Sequence, residues 1–338
     1  MSSWSSSSSS TTASCTLIDG KAIATQFRAE IKDRVAALQE HSQVTPGLAV
    51  ILVGSRRDSQ TYVNMKKKAC AEAGIRSVGF DFADTVTQEE LYQCVQQLNH
   101  DDSVHGILIQ LPLPSHIQQD EILQAVAPHK DVDGLHPANV AALQLLPPSV
   151  DALQAPFAIP CTPLGCLVLL DRSNVSLAGK HCVVLGRSQL VGWPMARLLL
   201  SRNATVTIVH SKTVQPELLV RQADVVIAAV GKAHLVQGHW LKPGAVVIDV
   251  GMNSIDVDPA QSSNGKSYKL VGDVDFDSAK QVCSQLTPVP GGVGPMTIAM
   301  LLNNTLTACE RSVNGQALSL GVLVNTSCTG ESAINGNP

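Results

Sequence analysis

Tyr62 and Lys66 stand four residues apart in Tyr62-Val-Asn-Met-Lys66-Lys-Lys-Ala69. On a helix that spacing puts both side chains on one face. A lysine at the inner edge of such a helix, beside an aromatic ring and away from water, could exchange protons near neutral pH. The same spacing also suits a surface lysine whose stem lies flat while its ammonium stays in water. Lys67 and Lys68 fall on other faces and read as solvated. Gln110 is the lone polar residue in Gly106-Ile-Leu-Ile-Gln110-Leu-Pro-Leu-Pro114. It sits at the carboxyl end of what reads as a central strand, where open α/β sheets bind ligands. A buried amide there requires partners, and a ligand or Lys66 would serve. Pro128-His-Lys-Asp131-Val-Asp133-Gly134-Leu-His-Pro137 is a polar turn with two carboxylates. A carboxylate in it could accept hydrogen bonds from an amino-pyrimidine edge. A metal would need more carboxylate or histidine ligands, so none is expected.

A second constellation lies further along the chain. Val183-Val-Leu-Gly186-Arg187-Ser188-Gln-Leu-Val-Gly192-Trp-Pro194 follows a strand and opens a helix, the context of a phosphate-binding turn. Gly186 permits a tight turn and Gly192 a close helix–strand approach. The helix N-terminus offers unpaired N–H groups and a positive dipole end to a pyrophosphate. The motif departs from GxGxxG, with Ser188 and Val191 in the places of the second and third glycines. An ordinary glycine-rich turn has the same form. The next strand ends in Val209-His210-Ser211-Lys212-Thr213, with no acid to hold a ribose 2′-OH. Arg187, Ser211 and His210 would suit a 2′-phosphate instead, which favours NADP over NAD. Lys212 and Thr213 read as solvated loop residues, and His210 is balanced between the two roles.

The elements that must hold these residues alternate. Strands are expected near residues 47–53, 77–82 and 104–111, with helices over 59–73 and from the capping box Thr87-Gln-Glu-Glu90 to about 98. The strands are too apolar to face water, so a covered parallel sheet follows. A break with five prolines spans 145–163. Thr162 is expected to cap the next helix, with Pro163 at its first position. Four more strands are expected over 181–185, 204–209, 224–229 and 245–250. An apolar helix after Pro295 suggests that the chain crosses back to its first half. The expected architecture is α/β: two α/β domains flanking a cleft, the second Rossmann-like. Its expected parts are 16–161 plus 294–312 for the first domain and 162–293 for the second. Residues 1–14, rich in serine, and 313–338 are expected to lie outside the fold.

The composition is that of a chain able to bury sizeable cores: 338 residues, 44% hydrophobic, 15% charged and a formal net charge of −4. No basic excess points to nucleic acid or an anionic membrane, and no apolar run approaches the roughly 20 residues of a spanning helix. Nine cysteines are scattered without metal-ligand spacing and read as reduced, buried thiols. A cytoplasmic location is expected, with an organelle as the alternative if the serine-rich start is a transit peptide.

Together with Lys130-Asp-Val-Asp-Gly-Leu135, Pro160-Cys-Thr-Pro163 and Thr287-Pro-Val-Pro-Gly-Gly-Val-Gly-Pro-Met-Thr297, these segments resemble the signatures of the methylenetetrahydrofolate dehydrogenase/cyclohydrolase family. They occur in that family's order over about residues 17–311. The resemblance implies that NADP⁺ takes a hydride from 5,10-methylenetetrahydrofolate and that water then opens the methenyl cation to 10-formyltetrahydrofolate. It implies Lys66 as the catalytic lysine, Gln110 as its modulating partner and Tyr62 as the ring flanking the folate. Asp133 would grip the pterin-like ring, in a pocket lined by Pro290, Gly291 and Gly292. Gly186, Arg187, Ser188, His210 and Ser211 would serve NADP, with Thr162, Met252 and Thr297 near the nicotinamide. The resemblance also implies a homodimer and cis bonds before Pro112 and Pro290. The chain departs from the family at Val140-Ala-Ala-Leu143, where a Gly and a basic residue are usual, and in a longer proline-rich stretch after it. An NAD-preferring relative, another dehydrogenase on the same architecture and a non-enzymatic nucleotide sensor are the rival readings. The trio Lys66, Gln110 and Asp133 argues against the last two.

Overall fold

The structure, a computed structural model, describes residues 15–148, 150–257 and 267–315. The expectations for residues 1–14 and for the tail from 316 onward lie outside the described residues. The chain begins with β1 (Thr16–Leu17), α1 (Gly20–Ser42), β2 (Gly47–Val53), α2 (Arg57–Ala73), β3 (Arg76–Phe82), α3 (Gln88–His100) and β4 (Gly106–Ile109). Two short helices follow, α4 (Gln119–Ala125) and α5 (Pro137–Gln144). Next come α6 (Cys161–Arg172), β5 (His181–Leu185), α7 (Gly192–Ser201), β6 (Thr205–Val209), α8 (Pro216–Val220), β7 (Val225–Ala228) and β8 (Val246–Asp249). The chain closes with the hairpin β9 (Asn253–Asp256) and β10 (Tyr268–Val271), then α9 (Phe276–Lys280), β11 (Gln285–Leu286) and α10 (Val293–Val313).

Two parallel sheets organise the molecule. The first has the order β3-β2-β4, and the second β1-β11-β8-β7-β5-β6. In each, the first strand of the unit sends the chain to one side and then to the other. That creates a switch point between β2 and β4, and another between β5 and β7. Every residue of β2 is buried, as a strand covered on both faces requires. Its side chains alternate between two cores. Leu48, Val50 and Leu52 face one, and Ala49, Ile51 and Val53 the other. The first of these cores is shared. It runs from β2 through α1, α6 and α10 to Cys182, Val184, Val225 and Ile227 of the second sheet.

The expected elements stand where sequence pattern places them, with two corrections. The capping box forms: Thr87 Oγ1 accepts from Glu90 N at 3.2 Å and Glu90 Oε2 accepts from Thr87 N at 2.9 Å. The peptide bonds before Pro112 and Pro290 are cis. The first correction is β4, which pairs only with β2 and is an edge strand rather than a central one. Its outer side is met by the backbone at Lys130, whose carbonyl accepts from Ile107 N at 2.7 Å. The second is the start of α6. Pro160 is the cap residue and its carbonyl accepts from Leu164 N at 3.1 Å. Thr162 therefore lies inside the first turn with Pro163 at its third position, where a missing N–H still costs nothing.

The last helix joins the two halves. On α10, Glu310 and Asn303 receive the Arg34 guanidinium of α1 at 2.7 and 2.9 Å. The buried Asn304 donates through Nδ2 to Val132 O at 2.8 Å and to Ile159 O at 2.9 Å. Those carbonyls flank Asp133 and Pro160, so this one amide ties two loops to the central helix. Replacement Asn304→Leu keeps the volume but leaves both carbonyls buried without a donor. Urea unfolding should then show a loss of about 2–4 kcal/mol. A loss under about 0.5 kcal/mol, the range of ordinary surface changes, would show that the two bonds do not hold α10 in place.

Candidate functional site

α2 carries Tyr62 and Lys66 from one face towards the carboxyl ends of β2 and β4. Lys66 Nζ donates to Gln110 Oε1 at 3.0 Å. Gln110 is fixed from two directions. Its backbone N–H donates to Ile51 O at 2.9 Å, and its Nε2 donates to Leu111 O at 2.9 Å. The amide oxygen is thus turned towards the lysine, at the switch point of the first sheet. Gln110 owes its place to that switch point, not to a central strand.

The two carboxylates of the polar turn have separate tasks. Asp131 is buried and consumed by the turn. It accepts from Gly134 N at 3.0 Å, His136 N at 2.8 Å and Asn139 Nδ2 at 2.8 Å. Asp133 is half-buried and faces the space beside Lys66. Desolvation pushes its carboxyl up to about 6, with the Lys66 charge working against the rise and Asp131 adding to it. Cys161 Sγ donates to Asp133 Oδ1 at 3.7 Å and to Val132 O at 3.4 Å. Burial, then the neighbouring Asp133, hold that thiol well above its ordinary range. Next in sequence, the Thr162 hydroxyl meets the Thr297 hydroxyl of α10 at 3.1 Å. Asp133 and Cys161 thus both lie within reach of the Lys66 charge, and Cys161 is next in sequence to one of the threonine pair.

A cavity of about 860 Å³ is lined among others by Tyr62, Met252, Tyr268, Pro290, Gly291 and Gly292. Its size suits a drug-sized or cofactor-sized ligand. Tyr62 Oη donates to Met252 Sδ at 2.8 Å, linking two residues of that lining. Lys66, Gln110 and Asp133 stand outside that lining.

At the second switch point the chain leaves room for a phosphate. Gly186 has φ +116°, and a Cβ there would lie 2.1 Å from Ala229 O. At Gly192 a Cβ would lie 2.3 Å from Gly186 O. Neither position admits a side chain, so bare backbone faces outward ahead of α7. This cradle fits a pyrophosphate against the α7 N-terminus. Ser188 Oγ accepts from Val191 N at 3.2 Å and Gly192 N at 3.4 Å, which fixes the turn and leaves its hydrogen to donate. Arg187 and Ser211 are exposed beside it. His210 Nδ1 accepts from Lys212 N at 3.2 Å, and Thr213 Oγ1 accepts from His210 N at 3.0 Å. The loop is self-braced, and Thr213 is a structural residue.

Several residues that shape the site escaped the sequence reading. Asp273 is fully buried and accepts from Val230, Gly231 and Lys232 N at 2.6, 3.0 and 2.8 Å, and from Asn253 Nδ2 at 2.9 Å. Asp249 accepts from Gly251, Asp273 and Val274 N, each at 2.9 Å. Burial pushes the Asp249 carboxyl up to about 7 against those three donors. Together the pair holds the loops after β7 and β8, including the one that presents Met252. The available signal was an aspartate within two residues of a glycine at or just past the end of each of two strands, Asp249-Val-Gly251 and Gly272-Asp273. Lys130, given no role by sequence, donates to Leu98 O at 3.0 Å and Asp101 O at 2.8 Å, capping α3. No group of three or more metal-ligating side chains occurs among the described residues.

Comparison with known proteins accords with this geometry. Residues 18–133 match the tetrahydrofolate dehydrogenase/cyclohydrolase catalytic domain, and residues 160–313 the tetrahydrofolate dehydrogenase/cyclohydrolase NAD(P)-binding domain. The chain is 52% identical over 295 residues to bifunctional protein FolD 2 of Arabidopsis thaliana, covering 87% of this chain and 95% of that one. It is 51% identical over 300 residues to the chloroplastic bifunctional protein FolD 4 of the same plant, covering 89% and 81%. A crystal structure of the Trypanosoma brucei methylenetetrahydrofolate dehydrogenase-cyclohydrolase, complexed with NADP and an inhibitor, superposes with a TM-score of 0.82. That chain is 43% identical, with 89% of this chain and 99% of that one covered. The chain belongs to the tetrahydrofolate dehydrogenase/cyclohydrolase family.

Proposed function

We propose that this chain oxidises 5,10-methylenetetrahydrofolate with NADP⁺ and hydrolyses the resulting 5,10-methenyltetrahydrofolate to 10-formyltetrahydrofolate, both in one folate site. The observation that carries the reading is the 3.0 Å bond from Lys66 Nζ to Gln110 Oε1, near the Asp133 carboxyl and one helical turn from Tyr62. A mere nucleotide-binding module has no use for that set. The chain supplies orientation for the first reaction and proton exchange for the second. Tyr62 flanks the folate ring, Asp133 accepts from its amino edge, and Pro290, Gly291 and Gly292 close the pocket around it. Thr162, Met252 and Thr297 border the space for the nicotinamide. Bound NADP⁺ supplies the hydride acceptor, and holding two rings in register is most of what that step needs. Lys66, aimed by Gln110, takes a proton from the attacking water and returns one to the departing ring nitrogen.

The domain division follows the same reading: residues 16–161 with 294–312 bind folate, and 162–293 bind NADP through Gly186, Arg187, Ser188, His210 and Ser211. Trp193 and Leu200, seven residues apart on one face of α7, are half-exposed and support a homodimer formed through the cofactor half. The eight described cysteines, none of them in a disulfide, support a cytoplasmic, reducing location. No helix among the described residues is long and apolar enough to cross a membrane.

Two substitutions test the assignments. Arg187→Ala should raise KM for NADP⁺ about tenfold to hundredfold, the worth of one charge-assisted bond to a 2′-phosphate. KM for NAD⁺ should stay nearly constant, and equal losses for both cofactors would make Arg187 structural. Lys66→Met should slow methenyltetrahydrofolate hydrolysis by about 10²-fold or more, while hydride transfer survives in part. The measurement supplies methenyltetrahydrofolate directly and follows its decay above the uncatalysed rate. Decay at the parent rate would remove Lys66 from the mechanism.

A further inference from the structure

Outside the folate and cofactor sites, one pair of nucleophilic side chains lies in contact. Cys15 Sγ and Cys283 Sγ are 3.3 Å apart, across 268 positions of sequence. Among the eight described cysteines, Cys15 is the one that is not buried, whereas Cys283 is 3% exposed. The pair stands where β1 meets the second sheet. That strand is only two residues long and joins β11, itself two residues, in parallel register. At its ends Thr16 N donates to Ser284 O at 2.8 Å, and Ile18 N to Leu286 O at 2.9 Å. So short an edge strand has little to keep it from fraying.

The strand nonetheless matters to the cleft. It leads through the cap residue Asp19 into α1, and Gly20 opens that helix against the backbone of Gly292. A Cβ on Gly20 would lie 1.9 Å from Gly292 O. Through this contact β1 backs the turn of Pro290, Gly291 and Gly292 that lines the cavity.

We propose that Cys15 and Cys283 are a disulfide site, joined when the chain meets a small-molecule disulfide and released by a dithiol. The half-exposed Cys15 thiolate attacks one sulfur of the external disulfide and expels a thiol. Cys283 then gives its proton to solvent, attacks Cys15 Sγ and expels the second thiol. Two S–H bonds are lost and one S–S bond of about 2.0 Å forms. The external disulfide takes up the two electrons and becomes two thiols. The bond fastens β1 to β11 and, through Gly20, the floor of the cleft. This site does not depend on which substrate occupies that cleft. It also agrees with a reducing location, where the pair rests as thiols and responds to an oxidising shift.

The test equilibrates the purified full chain with oxidised glutathione, blocks remaining thiols and digests with trypsin. Cys15 then lies in the peptide ending at Lys21, and Cys283 in the one from Gln281 to Arg311, which also holds Cys309. The expected product is these two peptides linked, with fragmentation placing the bond at Cys283. Dithiothreitol should abolish the link. The oxidised chain should melt about 5 °C above the reduced one, a shift set by closing a long loop. Cys283→Ser should leave Cys15 as a stable glutathione adduct with no rise in melting temperature. Cys15 carrying glutathione in the parent chain while Cys283 stays alkylatable would overturn the proposal. So would two free thiols at the most oxidising ratio, or a link made to Cys309.

Discussion

One apolar core spans both sheets, and α6 and α10 lie within it. Neither sheet can slide without opening that core. Close packing makes interiors resist small shifts, so the two sheets, and with them their carboxyl ends, keep a set separation. Each end is a switch point with a Gly or Gln where the chain parts. The cleft is therefore a by-product of how the core is shared. Its bridging contacts, Thr162 with Thr297 and Tyr62 with Met252, are made by residues leaving the core helices or facing them across the gap.

Buried polar groups divide the labour around this core. Asp131, Asp249 and Asp273 spend their oxygens on backbone N–H groups and shape loops. Asn304 spends its amide on two loop carbonyls. Asp133 is the turn carboxylate near Lys66, and among the described residues a thiol at 3.7 Å is its one donor. A carboxylate left that lightly satisfied in a desolvated position is costly to hold. Its environment is suited to a ligand that brings donors, as an amino-pyrimidine edge does.

How far the sequence reveals this depends on the physics at each position. β2 was legible because seven apolar residues ended by Gly54 admit few other structures. The capping box was legible because Thr87 and Glu90 satisfy each other locally. The edge position of β4 was not, because neighbours in a sheet are set by tertiary crossing rather than by pattern. Thr162 looked like a cap from its type, yet Pro160 took that role. Local propensity cannot see that the threonine hydroxyl has a partner 135 residues away. Lys66 and Gln110 were found by motif, while their contact needed coordinates. Asp249, Asp273 and Cys161 were passed over because buried carboxylates and thiols are named by their partners, which one-dimensional spacing does not display.

Under the proposed function a single folate site performs both reactions, with orientation serving one and Lys66 the other. Without cofactor, 5,10-methylenetetrahydrofolate can occupy the site but cannot be oxidised. Methenyltetrahydrofolate hydrolysis measured in its presence therefore reports directly on shared occupancy. A single site requires purely competitive inhibition, with an inhibition constant equal to the dissociation constant of the methylene compound. Hydrolysis that continues at full rate under saturating 5,10-methylenetetrahydrofolate would place the two reactions in separate sites and contradict the account.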